Sequence, residues 1–104
     1  MSVPVVSIVC LCYNQSRFVA EAISSVMRQT YRNIQLIVID DASTDDSVSV
    51  IEACRKQFPN IIFFALKQNV GNCKAFNIGL SHAVGDYIID LAADDVLLPH
   101  RVNK

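Results

Sequence analysis

The sequence has little of what marks a disordered, fibrous or membrane-spanning chain. Its 104 residues include no tryptophan, three glycines and three prolines, and 52% of them are apolar. This composition excludes a disordered chain and predicts one globular domain over residues 1–104. Charge of one sign is also lacking, because nine basic and ten acidic residues leave a net charge of -1. We therefore expect no nucleic-acid binding and no attraction to anionic membrane surfaces.

Long hydrophobic runs are absent as well. The apolar stretch that begins at Val5 stops at Tyr13, which is too short to span a bilayer. The start of the sequence also lacks the basic residues of a secretion signal. We expect no membrane span and a cytoplasmic location, or a membrane-peripheral location if the sequence belongs to a longer protein.

The four cysteines lack the paired spacing of a zinc site. Cys10 and Cys12 are two residues apart on a predicted strand, so they share one face and cannot easily bridge each other. Together with Cys54 and Cys73, they are interpreted as reduced thiols that pack as small apolar side chains.

Apolar strand-like runs alternate with helical spacing, a pattern typical of an α/β fold with parallel strands. Right-handed crossovers favour the strand order 3-2-1-4 in a Rossmann-like α/β/α sandwich. Serine or threonine is expected to cap the first two helices, with Asp45 and Asp46 in the first turn of the second, and Gly85 to end the third. The predicted strands are Val5–Cys12, Ile34–Asp40, Ile61–Leu66 and Tyr87–Leu91. The predicted helices run from Ser16 to about Gln29, from Ser43 or Thr44 to about Phe58, and from Asn72 to Ala83. One further helical turn is predicted from Pro99.

Two acidic pairs directly follow predicted strands. Asp40-Asp41 closes the second strand, and Asp94-Asp95 follows the fourth. With this strand order the chain reverses beside the first strand, and ligands bind in the crevice at the carboxyl ends of the strands there. We therefore expect the ends of strands one, two and four to converge on one site. Carboxylates at such an edge can hold a divalent metal, and the metal can hold a diphosphate.

Glycine-rich phosphate loops are missing at this edge. The turn after the first strand, Tyr13 to Arg17, has none of the glycines of a dinucleotide fingerprint, and the chain has no GxxxxGK[ST] loop. A phosphorylated ligand would then need a counter-charge, which carboxylate-bound Mg²⁺ or Mn²⁺ can supply.

Each candidate residue has a plain structural interpretation beside the functional one. Asp41 can contact a base or a ribose, or it can belong to a turn that caps a helix. Tyr13 can pack against a base or be an ordinary half-buried tyrosine, and Asn14 can shape the turn by a local hydrogen bond. Lys74 can meet phosphate, although a surface lysine is the simpler interpretation. No role is assigned to Asp90.

Five segments, in order, resemble family 2 of the inverting glycosyltransferases. Val6–Asn14 resembles VSVIIPTYN, Ala22–Tyr31 resembles a helix that ends in SVLxQTY, and Val38–Asp45 resembles VVDDGSTD. Asn69–Gly79 resembles an NxG…NxG segment, and Gly85–Pro99 resembles GEYIxxLDADDxxxP. No single motif is decisive, but the ordered series runs through essentially the whole chain and is highly specific.

The resemblance implies a glycosyltransferase A-type fold, a nucleotide-sugar donor, which we expect to be a UDP-sugar, and Mg²⁺ or Mn²⁺. By matched position, Asp41 would contact the base beside Tyr13, Asp94 the ribose or donor sugar, and Asp95 the metal. The acceptor would be the hydroxyl of a saccharide or a lipid-linked acceptor, as in polysaccharide biosynthesis. The full predicted donor-binding set is Cys12, Tyr13, Asn14, Asp41, Lys74 and Asp94, with Asp95 as the metal ligand.

The sequence departs from the family pattern at three places. Ala92 replaces the first acid of the DxDD run, so metal binding rests on fewer carboxylates. Ala42 replaces the glycine of DDGS, and Leu11-Cys12 replaces the usual Pro-Thr, which removes a hydroxyl near the nucleotide.

Family catalytic domains are about twice as long as this sequence, and their catalytic base and acceptor site lie in the half that is missing here. An inverting transfer needs that base to deprotonate the acceptor hydroxyl. We therefore expect an N-terminal nucleotide-sugar-binding half that is inactive alone and that can self-associate through an exposed edge.

Three other classes are alternatives. A sugar-1-phosphate nucleotidyltransferase should carry a glycine-rich, basic turn after the first strand, and a receiver-like phosphoacceptor domain should carry its acidic pair there. The sequence has neither feature at that position. A non-catalytic nucleotide-binding or assembly module is compatible with the length of the chain.

Overall fold

A parallel sheet with helices on both faces makes up residues 4–94, the part of the chain that the computed structural model describes. The elements are β1 (Val6–Cys12), α1 (Val19–Met27), β2 (Ile34–Asp40), α2 (Ser47–Gln57), β3 (Ile62–Ala65), α3 (Asn72–His82) and β4 (Tyr87–Ala92). The four strands have the order β3-β2-β1-β4, and each neighbouring pair is parallel. The predicted α/β class and strand order are confirmed.

Two apolar clusters hold the helices to the sheet. On one face, Ile23 of α1 and Ile51 of α2 belong to the same buried cluster as Ile8 of β1. On the other face, Ala75 of α3 packs with Val9 and its neighbours from β2. Burial of a large aliphatic side chain contributes about 1.5–3 kcal/mol, so these clusters are the main stabilisation of the fold. β1 and β2 are covered on both sides, which explains their nearly continuous apolar sequences.

β4 is covered much less than the central strands. Its Tyr87 is 62% exposed and its Ile88 is 38% exposed. Within residues 4–94, β4 pairs with β1 alone and is therefore an edge strand. In the same part of the chain, every helix is too short or too polar to cross a membrane.

The start of α1 differs from the prediction, because the predicted cap has another partner. α1 begins at Val19, after a turn in which the carbonyl of Gln15 accepts the N–H groups of Phe18 and Val19. Ser16 does not cap the helix. Its N–H instead donates to the carboxylate of Asp45, 3.1 Å away on a different loop.

The start of α2 also differs. This helix begins at Ser47, so neither Ser43 nor Thr44 caps it, and Asp45 and Asp46 precede its first turn. The hydroxyl of Ser43 and the N–H of Thr44 bond to residues at the ends of the two central strands. The carboxylate of Asp45 accepts the N–H of Ser47 at 2.9 Å. Asp45 therefore supplies the hydrogen-bond acceptor at the helix start that was predicted for Ser43 or Thr44.

Gly85 has a different role from the predicted one. α3 ends at His82, and Gly85 does not adopt the left-handed conformation of a helix cap. Its N–H donates to the hydroxyl of Ser7 on β1 at 2.8 Å, and a Cβ at this position would lie 2.5 Å from that oxygen. The predicted helical turn at Pro99 lies outside the described residues.

Candidate functional site

A cavity of about 530 Å³ opens at the carboxyl ends of β1 and β4, beside the start of α3. This is the switch point of the sheet, because β1 lies between β2 and β4 and the strand order reverses there. Two aromatic side chains, two carboxylates and a thiol contribute to its walls. The lining residues are Leu11, Tyr13, Gln15, Asn72, Cys73, Phe76, Asp90, Ala92, Ala93 and Asp94.

Two predicted donor-binding residues lie at this cavity. Tyr13, at the end of β1, lines it and is 44% exposed. Asp94, which follows β4, lines it as well and is exposed. Phe76 adds a second ring from α3. Aromatic faces of this kind pack against planar bases, and a carboxylate accepts hydrogen bonds from sugar hydroxyls.

Asp41 holds the wall of the cavity rather than lining it. The residue is 4% exposed, and its two carboxylate oxygens accept the N–H groups of Val70 at 2.8 Å and Gly71 at 2.9 Å. Its carbonyl accepts the side-chain amide of Asn69 at 3.1 Å, and its own N–H donates to the carbonyl of Cys12 at 2.8 Å. Asp41 therefore ties the end of β1 to the loop that leads into α3.

Asn14 joins the loops after β1 and β2. Its backbone has φ 53°, and its side-chain oxygen accepts the N–H of Thr44 at 2.7 Å and of Asp45 at 3.3 Å. Its N–H donates to the hydroxyl of Ser43 at 2.9 Å. The amide is thus used to shape the turn, one of the two interpretations open from the sequence, and it does not line the cavity.

The same two loops are joined a second time through Asp45. Its carboxylate accepts the hydroxyl of Ser47 and the N–H of Ser16. The Ser47 hydroxyl in turn accepts the N–H of Gln15 at 3.0 Å. These hydrogen bonds, led by that from the Ser47 hydroxyl, lower the pKa of Asp45 to about 2. The carboxylate is therefore ionised at neutral pH, and the turn beneath Tyr13 is held by charge-assisted hydrogen bonds.

Two further predicted site residues, Cys12 and Lys74, do not line the cavity either. Cys12 is 1% exposed and belongs to the cluster on the α1 and α2 side, where burial raises its pKa to about 11, so a ligand in the cavity cannot reach its thiol directly. Lys74 is exposed on the first turn of α3 but does not line the cavity. Asp95 lies outside the described residues. Of the three strand ends expected to converge, β1 and β4 contribute side chains to the cavity and β2 acts through Asp41.

Several lining residues were not found from the sequence. Asn72, Cys73 and Phe76 all come from the start of α3, where spacings of three and four residues place them on one face. That spacing was available, but only the packed structure shows that this face lines the same cavity as β4. Asp90, to which no role was assigned, lines the cavity too.

The charges at the cavity fit a divalent cation. Asp90 and Asp94 are carboxylates, and none of the ten lining residues is lysine or arginine. A diphosphate alone would be repelled here, whereas Mg²⁺ and Mn²⁺ prefer such oxygen ligands and complete their shells with water and phosphate. Within residues 4–94, no three histidine, cysteine or acidic side chains gather as a metal site. The described residues of the cavity therefore offer two carboxylates to a cation.

Structures of known proteins share this architecture. A mannosyltransferase from Pyrobaculum calidifontis, solved with GDP-mannose and Mn²⁺, superposes with a TM-score of 0.86 at 25% identity, over 94% of this chain and 29% of its own. The TarS protein of S. aureus, solved with UDP-GlcNAc, gives 0.86 at 24% identity, over 95% of this chain and 30% of its own. The fold is the glycosyltransferase A type.

Sequence relatives agree with the structural ones. An uncharacterized glycosyltransferase of Nostoc sp. is 37% identical over 99 residues, which cover 95% of this chain and 31% of the relative. The chain thus spans about a third of that protein. The model of the family described as "Glycosyl transferase family 2" matches residues 7–104. The expectation from the motifs is confirmed, and the chain belongs to glycosyl transferase family 2.

Proposed function

We propose that this chain binds a nucleoside diphosphate sugar, with UDP as the nucleotide, together with Mg²⁺ or Mn²⁺. The observation that carries the proposal is the cavity at the switch point of the sheet, which has aromatic and carboxylate walls and, among the described residues, no basic side chain. The aromatic rings suit a base, and the carboxylates suit hydroxyls and a cation that neutralises the diphosphate. The glycosyl group would pass to a hydroxyl of a saccharide or lipid-linked acceptor in polysaccharide biosynthesis.

Each residue has a distinct part in this proposal. Tyr13 packs against the base, Asp94 accepts a hydroxyl of the ribose or donor sugar, and Asp95 holds the metal. Asp41 acts by holding the cavity wall, because its carboxylate binds the loop that leads into α3. Lys74 is left for a phosphate oxygen that extends beyond the cavity. Bound Mg²⁺ or Mn²⁺ would stabilise the charge of the departing nucleoside diphosphate.

We propose that the chain alone does not transfer sugar. The transfer requires a base that takes the proton of the acceptor hydroxyl as the glycosidic bond forms. No residue at the cavity is assigned this role, and the chain spans about a third of its Nostoc relative. The base and the acceptor site are proposed to belong to sequence that such longer relatives have beyond the matched part.

Calorimetric titration tests donor binding. UDP, GDP and dTDP are each added to the 104-residue chain with and without Mn²⁺. We expect UDP to bind most tightly of the three nucleotides, and at least about tenfold more tightly with the metal. The cation offsets the repulsion between the diphosphate and the carboxylates of the cavity. Asp94→Ala should weaken binding by about tenfold, since one polar contact is worth roughly 1–1.5 kcal/mol. Glu21→Gln, an exposed change on α1 away from the cavity, is the matched control and should bind as wild type.

The competing function is an assembly module, which the exposed β4 edge favours. Tyr87 and Ile88 leave apolar surface on an edge strand, and such edges pair with other strands. Sedimentation of the titrated samples separates the two functions. A folded chain that binds no nucleotide with Mn²⁺ but forms dimers contradicts donor binding and supports assembly. Dimers that still bind UDP show self-association beside donor binding.

Alkylation of the cysteines gives an independent prediction. At pH 8, iodoacetamide should modify Cys73 first, because its thiol is exposed at the cavity. Cys12 should resist until unfolding, since its pKa is raised to about 11 and little thiolate forms below that pH. UDP with Mn²⁺ should slow modification of Cys73 severalfold, whereas the rate at Cys54, remote from the cavity, should not change. Mass spectrometry of peptides follows each site, and equal rates at Cys73 with and without UDP would argue against occupancy of this cavity.

A further inference from the structure

Asp90 projects from the same face of β4 as Ala92. In the β1–β4 pairing, Val9 lies beside Asp90 and Leu11 lies beside Ala92. Val9 and Leu11 belong to the cluster packed by α3, so both β4 residues face that side of the sheet. Asp90 and Ala92 both line the cavity. An acid on this strand face is thus present two residues before the alanine.

The carboxylate of Asp90 is not used by the fold. Among residues 4–94 it accepts no hydrogen bond and forms no salt bridge, in contrast to Asp40, Asp41 and Asp45, whose carboxylates all bond to loop atoms. It is exposed to the cavity that holds Asp94. Since none of the described residues that line this cavity is lysine or arginine, the side chain is open to a cation that enters from solution.

We propose that Asp90 supplies the donor-site cation with the carboxylate that residue 92 lacks. The inference rests on the proposed donor-binding function and adds a residue to it. Positions 90 and 92 are two apart on one strand face and so about 7 Å apart at Cα. At that spacing, an acid at either position can reach one ion. Moving the acid from 92 to 90 places this ligand two residues before the carboxyl end of β4. The ligand class is a hard divalent cation that carries a nucleoside diphosphate.

Electron paramagnetic resonance tests this placement without any measurement of sugar transfer. Loss of the free Mn²⁺ signal reports metal bound by the chain in the presence of UDP. We expect Asp90→Asn to weaken Mn²⁺ binding on the order of tenfold, because one charged ligand becomes neutral. Glu21→Gln removes the same charge far from the cavity and should leave the affinity unchanged. Circular dichroism melts confirm that each variant is folded.

Moving the acid gives the decisive comparison. Ala92→Asp in the Asp90→Asn background should restore Mn²⁺ affinity to within about threefold of wild type, because the same strand face again carries one acid. Unchanged Mn²⁺ affinity in Asp90→Asn, with wild type binding both UDP and metal, overturns the role of Asp90 and leaves donor binding intact. Failure of wild type to bind Mn²⁺ with UDP overturns both proposals.

Discussion

Replacing Asp41 with alanine should abolish measurable UDP binding and lower the free energy of unfolding by about 3 kcal/mol. The carboxylate accepts the N–H groups of Val70 and Gly71 in two partly buried hydrogen bonds. Each N–H left without an acceptor costs about 1–3 kcal/mol, and the loop sets the position of the first turn of α3 at the cavity. Urea unfolding followed by circular dichroism measures the stability, and hydrogen exchange measures protection of the two amides.

Two further variants separate positioning from direct contact with a base. Asp41→Asn keeps one acceptor oxygen and should lose about half as much stability as the alanine variant. Asp46→Ala, at the exposed start of α2, removes an acid whose side chain caps nothing and should change stability by less than about 0.5 kcal/mol. If Asp41→Ala lost UDP binding while keeping full stability and amide protection, the side chain would act on the ligand alone.

Gly85→Ala should destabilise the fold strongly, although the position is remote from the cavity. The added Cβ would lie 2.5 Å from the hydroxyl of Ser7, 2.6 Å from its N–H nitrogen and 2.8 Å from the carbonyl of Val5. Two of these atoms are backbone of the chain at β1 and cannot turn away. Overpacking of this kind costs about 1–3 kcal/mol, and we expect the upper end because the Gly85–Ser7 hydrogen bond is also disturbed.

A double variant shows which atom resists the new methyl group. Ser7→Gly in the Gly85→Ala background removes the hydroxyl but leaves the two backbone contacts, so it should recover less than half of the lost stability. Gly71→Ala is the contrasting control. No described residue lies within 4 Å of its added Cβ, but its φ of 90° strains an L-residue, at about 1 kcal/mol. Equal, small effects at Gly85 and Gly71 would contradict the steric argument.

The order of the elements was predictable because it depends on short-range patterns. Apolar runs, helical spacing and the handedness of crossovers were enough for the strand order β3-β2-β1-β4. The helix starts were not predictable in the same way. Ser16 and Thr44 are good caps in isolation, but their N–H groups bond to side chains 29 and 30 residues away. A local capping rule cannot anticipate such partners.

The site was predicted in part for a related reason. Tyr13 and Asp94 follow strands and reach the cavity, as the strand ends indicate. Cys12 could not be assigned to a side, because β1 is apolar on both faces and its alternation carries no polar signal. Asp41 follows a strand as well, but its partners are the N–H groups of a loop near residue 70. Sequence placed its backbone, and only the packed loops show where the carboxylate points.

The hydrogen bonds that join the loops after β1 and β2 have a dynamic consequence. Asn14 and Asp45 hold one side of the cavity with bonds that need no ligand, so Tyr13 is preorganised there. β4 forms the other side and, within residues 4–94, has a strand beside it on one edge alone. The conformational entropy lost when a donor enters should therefore come mainly from β4, and amide order parameters should rise there while those near Tyr13 stay constant.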